Sequence, residues 1–422
     1  MGVAFAFLLA TIAAACAAVR PSFTFVEAST RTASLQIIGP RKSRIKAPKM
    51  ENLRRQLAAA REQHMELSRQ VKELDVAKFD AWAHPQLRKL KAQKLMAKDR
   101  IRNCEDLIHR LQRSDGEELG HGSFGRVLLG RSLIDGDNEE EAECAIKVIP
   151  LGDSTDDVPS QVASEASVLA AMAGEPGFPA LRYHGKQELV LDGRPLPCEI
   201  VVMELLGPSL EELSWAASAG TCFSPGCVMR VAHQALERLQ RLHDRGWVHL
   251  DISPAQFCVG ASGQRRGTLY LVDFGTSARL DDDGAAYGQA TPGSVEFASL
   301  GALSQSKTRG ARDDVEALVY LLVYLAVGRL PWSAAETQEE VRAAKARCHQ
   351  EGGVSPATNP LFDSLPDELL EPLARLWEQV SAAPGSTVER PSSYDSAFAK
   401  ACRDAIEPAH RRFQDAPFDW DK

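Results

Sequence analysis

The chain has 422 residues, of which 44% are hydrophobic and 25% charged, which excludes a wholly disordered or collagen-like chain and leaves room for two or three domains. Its nine cysteines include no Cys-x-x-Cys and form no even framework, which argues against a disulfide scaffold and against a structural zinc site. The net charge of −8 divides into three unlike pieces: residues 1–50 carry 7 basic and 1 acidic side chains, residues 51–113 carry 15 and 9, and residues 114–422 carry 27 and 47.

Val3 to Val19 is uncharged and rich in Ala, Leu and Phe, and Ala15-Cys16-Ala17 has the small-x-small pattern of a signal-peptidase site. Residues 1–19 therefore read as a signal-peptide-like segment. Residues 20–50 hold Arg20, Arg31, Arg41, Lys42, Arg44, Lys46 and Lys49 against the single acid Glu27, with seven Ser or Thr between them. A basic, hydroxylated, acid-poor stretch reads as a transit peptide or as a disordered basic linker. A signal followed by a transit-like stretch looks like the bipartite presequence of algae with secondary plastids. The expected address is then a plastid reached through the secretory pathway in an alga and the secretory pathway otherwise. The cytoplasm is the expectation if the presequence does not function.

From Glu51 to Arg113 the pattern is helical. Leu53, Leu57, Leu67, Val71 and Leu74 make one apolar stripe, His84-Pro85 interrupts it, and Leu87, Leu90, Leu95, Ile101, Ile108 and Leu111 make a second. Residues 51–113 are expected to form a helical hairpin or coiled coil. Its stretch from Leu67 to Ile101 is similar to a small bacterial two-helix family of unknown function. A helical partner or self-association fits such a hairpin. Nucleic acid is not the expected partner, and no membrane span is expected in the mature chain.

Residues 114–422 carry the chemistry. Gly120-His121-Gly122-Ser123-Phe124-Gly125-Arg126-Val127 is a Gly-x-Gly-x-x-Gly-x-Val loop, in which the missing Cβ atoms let backbone N–H groups lie against phosphate oxygens. The residues that follow look like a strand and not a helix, so a hairpin over a nucleotide is expected. The next apolar strand holds Cys144-Ala145-Ile146-Lys147-Val148. A lysine there needs partners for its ammonium, and phosphate oxygens and Glu165 on a following helix would supply them. Further on, Trp247-Val248-His249-Leu250-Asp251-Ile252-Ser253-Pro254-Ala255-Gln256-Phe257 follows a long amphipathic helix, and Leu269 to Val272 is an apolar strand ending in Asp273-Phe274-Gly275. Asp251 is placed as a base for a hydroxyl nucleophile, and Asp273 as a ligand for Mg²⁺.

Together these elements resemble the eukaryotic protein kinase domain, and within it the casein kinase I family. Met203-Glu204-Leu205-Leu206-Gly207-Pro208-Ser209-Leu210 looks like that family's hinge. Arg312-Asp313-Asp314-Val315-Glu316 through Gly328-Arg329-Leu330-Pro331-Trp332 is similar to its central helix, and Phe418-Asp419-Trp420 to its closing tripeptide. The resemblance implies an α+β bilobal protein kinase fold, with a β-rich N-lobe, a helical C-lobe and ATP between them, preceded by the α-helical hairpin. It implies ATP with Mg²⁺ or Mn²⁺ as cofactor and a Ser/Thr protein kinase as the activity. By matching position, Lys147 would contact the α/β-phosphates and pair with Glu165. Gly120, Gly122, Ser123, Phe124 and Gly125 would cover the nucleotide. Val127, Ala145, Met203, Glu204, Leu206 and Cys258 would line its adenine side.

Three departures fall in the catalytic loop, where the family writes His-Arg-Asp-Ile-Lys-Pro-x-Asn. Leu250 replaces the arginine that clamps a phosphorylated activation loop. Ser253 replaces the lysine that neutralises the γ-phosphoryl group. Gln256 replaces the metal-binding asparagine, with the same amide oxygen one methylene further out. A fourth departure puts Glu296 where a basic residue helps receive acidic substrates, and Asp281, Asp282 and Asp283 add negative charge upstream. Neutral or basic protein substrates are therefore expected. The catalytic-loop changes leave two readings, a casein kinase I-like enzyme of reduced activity and an ATP-binding pseudokinase that works as a scaffold through the hairpin.

Overall fold

The computed structural model describes residues 22–26, 32–37, 47–75, 94, 118–122, 125–134, 142–151, 161–191, 194–216, 222–261, 263–281, 286–287, 294–304, 306, 308–350, 359–381 and 396–421. In chain order, the first elements are β1 (Ser22–Val26), β2 (Thr32–Ile37), α1 (Ala47–Asp75), β3 (Glu118–Gly122), β4 (Gly125–Ile134), β5 (Ala142–Pro150), α2 (Gln161–Ala171), β6 (Leu181–Leu191) and β7 (Arg194–Glu204). There follow β8 (Leu206–Ser209), α3 (Leu210–Ala216), α4 (Pro225–Asp244), β9 (Trp247–Val248), β10 (Phe257–Gly260), β11 (Leu269–Leu271), β12 (Ala278–Arg279) and β13 (Ala286–Tyr287). The last are α5 (Leu300–Leu303), β14 (Thr308–Arg309), α6 (Ala311–Val327), α7 (Gln338–Gln350), α8 (Asp367–Ser381) and α9 (Ser396–Phe413). The chain divides into two compact units, residues 1–47, 109–166 and 180–205 in one and residues 48–108, 167–179 and 206–422 in the other.

The first unit is built on an antiparallel sheet in the order β1-β2-β4-β5-β7-β6, with β3 also on β4. Alternation along the strands decides which residues enter its core. Cys144, Ile146 and Val148 of β5 point one way and join Leu128, Leu189, Cys198, Ile200 and Val202 in a buried cluster. The intervening Ala145 and Lys147 point the other way. Antiparallel register then places Val127 opposite Lys147 and Met203 opposite Ala145, so these four share one face of the sheet.

Within residues 20–50, read above as transit-like or disordered, residues 22–26 and 32–37 are strands, and most of the remainder lies outside the described residues. Phe23-Thr24-Phe25-Val26 and Leu35-Gln36-Ile37 have the aromatic and β-branched content of strands. They form β1 and β2, and β2 continues along β4 where β3 leaves off, from Gly130 to Ile134. Residues 1–19 lie outside the described residues. Of the expected hairpin, the first helix is present as α1, with Ala60, Leu67 and Val71 buried. The second stripe falls almost wholly outside the described residues.

The second unit is mainly helical. Ser224 caps α4, its hydroxyl accepting from the N–H of Cys227 with Pro225 at the first helical position. Asp419 of the closing tripeptide returns to this cap and accepts from the N–H and the hydroxyl of Ser224 at 2.6 and 2.9 Å. The guanidinium of Arg230 lies 3.6 Å over the ring of Phe418. At Gly177, φ is +83°, and a Cβ would meet Arg238 Nε at 1.7 Å. Only glycine fits beside that buried arginine, which donates to the carbonyl of Leu269 at 3.0 Å. Helix α6 is buried from Asp314 to Val323. Gly328 closes it in the left-handed conformation, at φ 75°. Among the described residues no helix is long and apolar enough to cross a membrane.

Candidate active site

The first unit supplies a cation and a glycine hairpin. β3 and β4 pair antiparallel from Glu118 to Leu128, with Gly120 opposite Val127 and Gly122 opposite Gly125, so the glycine motif is the hairpin expected from its sequence. Ser123 and Phe124 at its tip lie outside the described residues. Lys147 is buried on β5 and its Nζ meets Glu165 Oε2 at 2.7 Å, with Glu165 2% exposed. Helix α2 makes that contact because Val162, Val168 and Leu169 are buried along with Glu165. A buried ion pair gains little over apolar packing, so its role is to fix a charge in place. Met203 is buried on the Lys147 face of the sheet, and Glu204 N donates to the carbonyl of Ala180 at 3.0 Å.

The second unit holds the candidate catalytic loop, chiefly through a side chain that the sequence did not single out. Asp314, fully buried in α6, accepts from His249 N and Leu250 N at 2.8 Å each and pairs with His243 Nε2 at 2.8 Å. Burial works to raise its pKa, but the hydrogen bond and charge of His243 and the approach of His249 outweigh that and hold the carboxyl below its ordinary value. The anchor is needed because Leu250 sits in the left-handed region at φ 66°, which is unfavourable by roughly 1–3 kcal/mol for a residue with a Cβ. Thr276 Oγ1 also donates to the carbonyl of His249, and the His249 ring packs edge-on to Phe274 at 5.4 Å.

That anchoring aims Asp251. Its Oδ1 accepts from Ser294 N at 3.2 Å and its Oδ2 from Gln256 Nε2 at 3.4 Å. Burial raises its pKa; His249 works against that shift, while the charge of Asp273 adds to it. Asp273 is itself left-handed, at φ 61°, at the end of the strand where β11 pairs with β10. Val272 N donates to the carbonyl of Gln256 at 3.0 Å, so the two expected metal ligands are held beside the adjoining ends of β10 and β11. The Gln256 amide turns its nitrogen to Asp251, which leaves its oxygen as the acceptor end.

No group of three or more His, Cys, Asp or Glu that could hold a metal occurs among the described residues. One carboxylate and one amide oxygen are too few to cage a cation alone. They suit a hard divalent cation that takes oxygen ligands and keeps the remainder of its sphere for phosphate oxygens and water. Ser253 is buried and its carbonyl accepts from Gln256 N at 3.1 Å. Cys258 lies on β10, opposite Ser209 of β8, with Leu206 opposite Gly260.

Glu296 is half-buried and not a loose charge: its Oε1 accepts from Ser333 Oγ at 2.7 Å and its carbonyl from Trp332 Nε1 at 2.8 Å. Besides Asp314, reading the sequence missed Glu316, which accepts from Leu300 N and Tyr320 OH at 2.7 Å each, and Lys345, fully buried in α7. The available signal was an acid inside an apolar helix, since a buried carboxylate must have partners.

The chain is similar to a probable serine/threonine-protein kinase of Dictyostelium discoideum, 29% identical over 239 residues. The match covers 55% of this chain and 44% of the relative, so the chain spans under half of that protein's length. The family profile described as the protein kinase domain matches residues 113–379, a span that takes in the glycine hairpin, the Lys147–Glu165 pair, Asp251 and Asp273. With both lobes' elements in this order, the chain belongs to the protein kinase family.

Proposed function

We propose that this chain is a serine/threonine protein kinase, casein kinase I-like, that moves the γ-phosphoryl group of ATP to a protein hydroxyl at a reduced rate. The observation that carries this reading is Asp251. Its carboxylate is held at both oxygens, by Ser294 N and Gln256 Nε2, on a loop fixed by Asp314. A base aimed in this way orients a substrate hydroxyl and receives its proton. Lys147 holds the α/β-phosphate oxygens while Glu165 holds Lys147. Val127, Ala145, Met203, Glu204, Leu206 and Cys258 form the adenine side, and Gly120, Gly122, Ser123, Phe124 and Gly125 the phosphate cover. A divalent cation, when bound, neutralises phosphate charge, and Asp273 and Gln256 are the residues that would hold it.

Ser253 is the reason for the reduced rate. A hydroxyl offers no charge to the transferring group, and one lost electrostatic donor costs about 3–4 kcal/mol of barrier. Each ~1.4 kcal/mol is tenfold in rate. The same short, buried side chain is the observation that favours the second reading, a nucleotide-binding scaffold presenting α1. The deciding measurement is transfer from labelled ATP with Mg²⁺ and with Mn²⁺ by the full chain beside Asp251→Asn. Transfer that falls about 10³-fold in the variant supports the enzyme. A thermal shift with ATP and no transfer on neutral and basic peptides leaves the scaffold.

Neutral or basic protein substrates fit a segment that carries Glu296. Helix α1 remains the proposed element for a helical partner or self-association. The proposed address is still the presequence, tested by fusing residues 1–50 to a fluorescent protein.

A further inference from the structure

In many kinases an arginine at the position of Leu250 clamps a phosphate on the activation segment, which sets the substrate-holding segment. This chain has no such clamp, and yet residues 294–300 are tied down along their length. Ser294 N donates to Asp251 at 3.2 Å, Trp332 Nε1 to the carbonyl of Glu296 at 2.8 Å, Ser299 Oγ to Asp313 at 2.6 Å and Leu300 N to Glu316 at 2.7 Å. In the middle stands Lys345, a lysine with 0% exposure that no step of the proposed transfer uses. Its Nζ donates to the carbonyls of Val295 at 3.1 Å and Ala298 at 2.5 Å. It lies 4.7 Å over the ring of Tyr320 and 4.9 Å over that of Trp332.

A buried ammonium is expensive unless it is fully hydrogen-bonded and paired. Here two carbonyls and two aromatic faces receive it, and the rings are themselves held edge to face, Tyr320 against Trp332 at 4.8 Å. Burial pushes the lysine down to about 7, with the charges of Glu316 and Glu296 working the other way. In either charge state the amine keeps two N–H bonds for its two carbonyls. Such a residue adds little to folding that a methionine of similar volume would not. What a methionine cannot do is hold two particular backbone oxygens.

Resting on the kinase reading above, we propose that Lys345 is a positioning residue for protein substrate: it fixes the segment 294–300 through the carbonyls of Val295 and Ala298. The test is Lys345→Met in the full chain, with KM measured separately for a peptide substrate and for ATP. The peptide KM is expected to rise about tenfold while the ATP KM stays within about twofold; tenfold corresponds to ~1.4 kcal/mol. A merely structural lysine would lower the fraction of active protein and leave both KM values alone, and that result overturns the proposal. Hydrogen exchange separates it from the kinase reading. If the wild-type chain transfers nothing, the amides of 295–300 must still exchange faster in Lys345→Met while those of α4 are unchanged, and equal exchange overturns the brace. Should Lys345→Met fail to fold, the shorter Lys345→Gln decides. A raised peptide KM with an unchanged ATP KM supports the proposal, and two unchanged KM values refute it.

Discussion

The catalytic loop and the segment 294–300 both lie against α6, but they are held in opposite ways. The loop hangs chiefly on one carboxylate, Asp314, which meets two successive backbone N–H groups and a histidine ring, with Thr276 adding a bond to the carbonyl of His249. The segment is held by contacts spread over α6, α7 and Trp332, none of which bears it alone. A single anchor gives accurate aim for one base, because two adjacent N–H groups fixed to one buried group leave the loop little freedom. A distributed hold tolerates loss in small steps, as suits a surface that must fit a substrate. The two arrangements therefore predict different responses to substitution.

Asp314→Ala should have the largest effect, since it leaves two buried N–H groups and the His243 ring without their acceptor next to a strained Leu250. A loss of about 3–5 kcal/mol in denaturant unfolding is expected, together with loss of transfer. A loss under about 1 kcal/mol would mean that the loop too is held by many contacts. Ser253→Lys comes next and asks whether the loop's weakness is a single missing cation. A gain of about 10–100-fold in kcat is expected, with little change in the peptide KM. Trp332→Phe removes one N–H from the carbonyl of Glu296 and should lower stability by only ~1–2 kcal/mol, the graded response expected of the segment.

The pH profile is the gentlest probe. Asp251 must be deprotonated to act, and burial raises its pKa. Activity should therefore fall on acidification at a pH above that expected for an ordinary aspartate, provided that the protein is still folded there by circular dichroism. An acid limb at or below the ordinary value would show that the loop is more open to water than its hydrogen bonds imply.

Much of the site could be read from the sequence because its parts are local. The glycine hairpin, Lys147 in an apolar strand and the acid after Val272 each depend on neighbours a few residues away. The supports could not be read in that way. Asp314 reaches His249 across 65 residues and touches its backbone, which leaves no side-chain signature at the receiving end. Lys345 meets Val295 and Ala298 in the same manner, through carbonyls 50 and 47 residues away. The strands β1 and β2 were hidden for another reason. Basic and hydroxylated composition is a strong signal, and five or six alternating residues are a weak one. The bond of Glu296 to Ser333 likewise depends on a tertiary contact.

The pairing of β2 with β4 bears on how fragments of this protein will behave. A chain started at residue 51 lacks the partner for Gly130 to Ile134 and presents their N–H and C=O groups as a bare strand edge. Such an edge is a template for another copy. Association of that fragment, absent from the full chain and unaffected by charge changes on α1, would therefore report strand-to-strand templating and not helical docking.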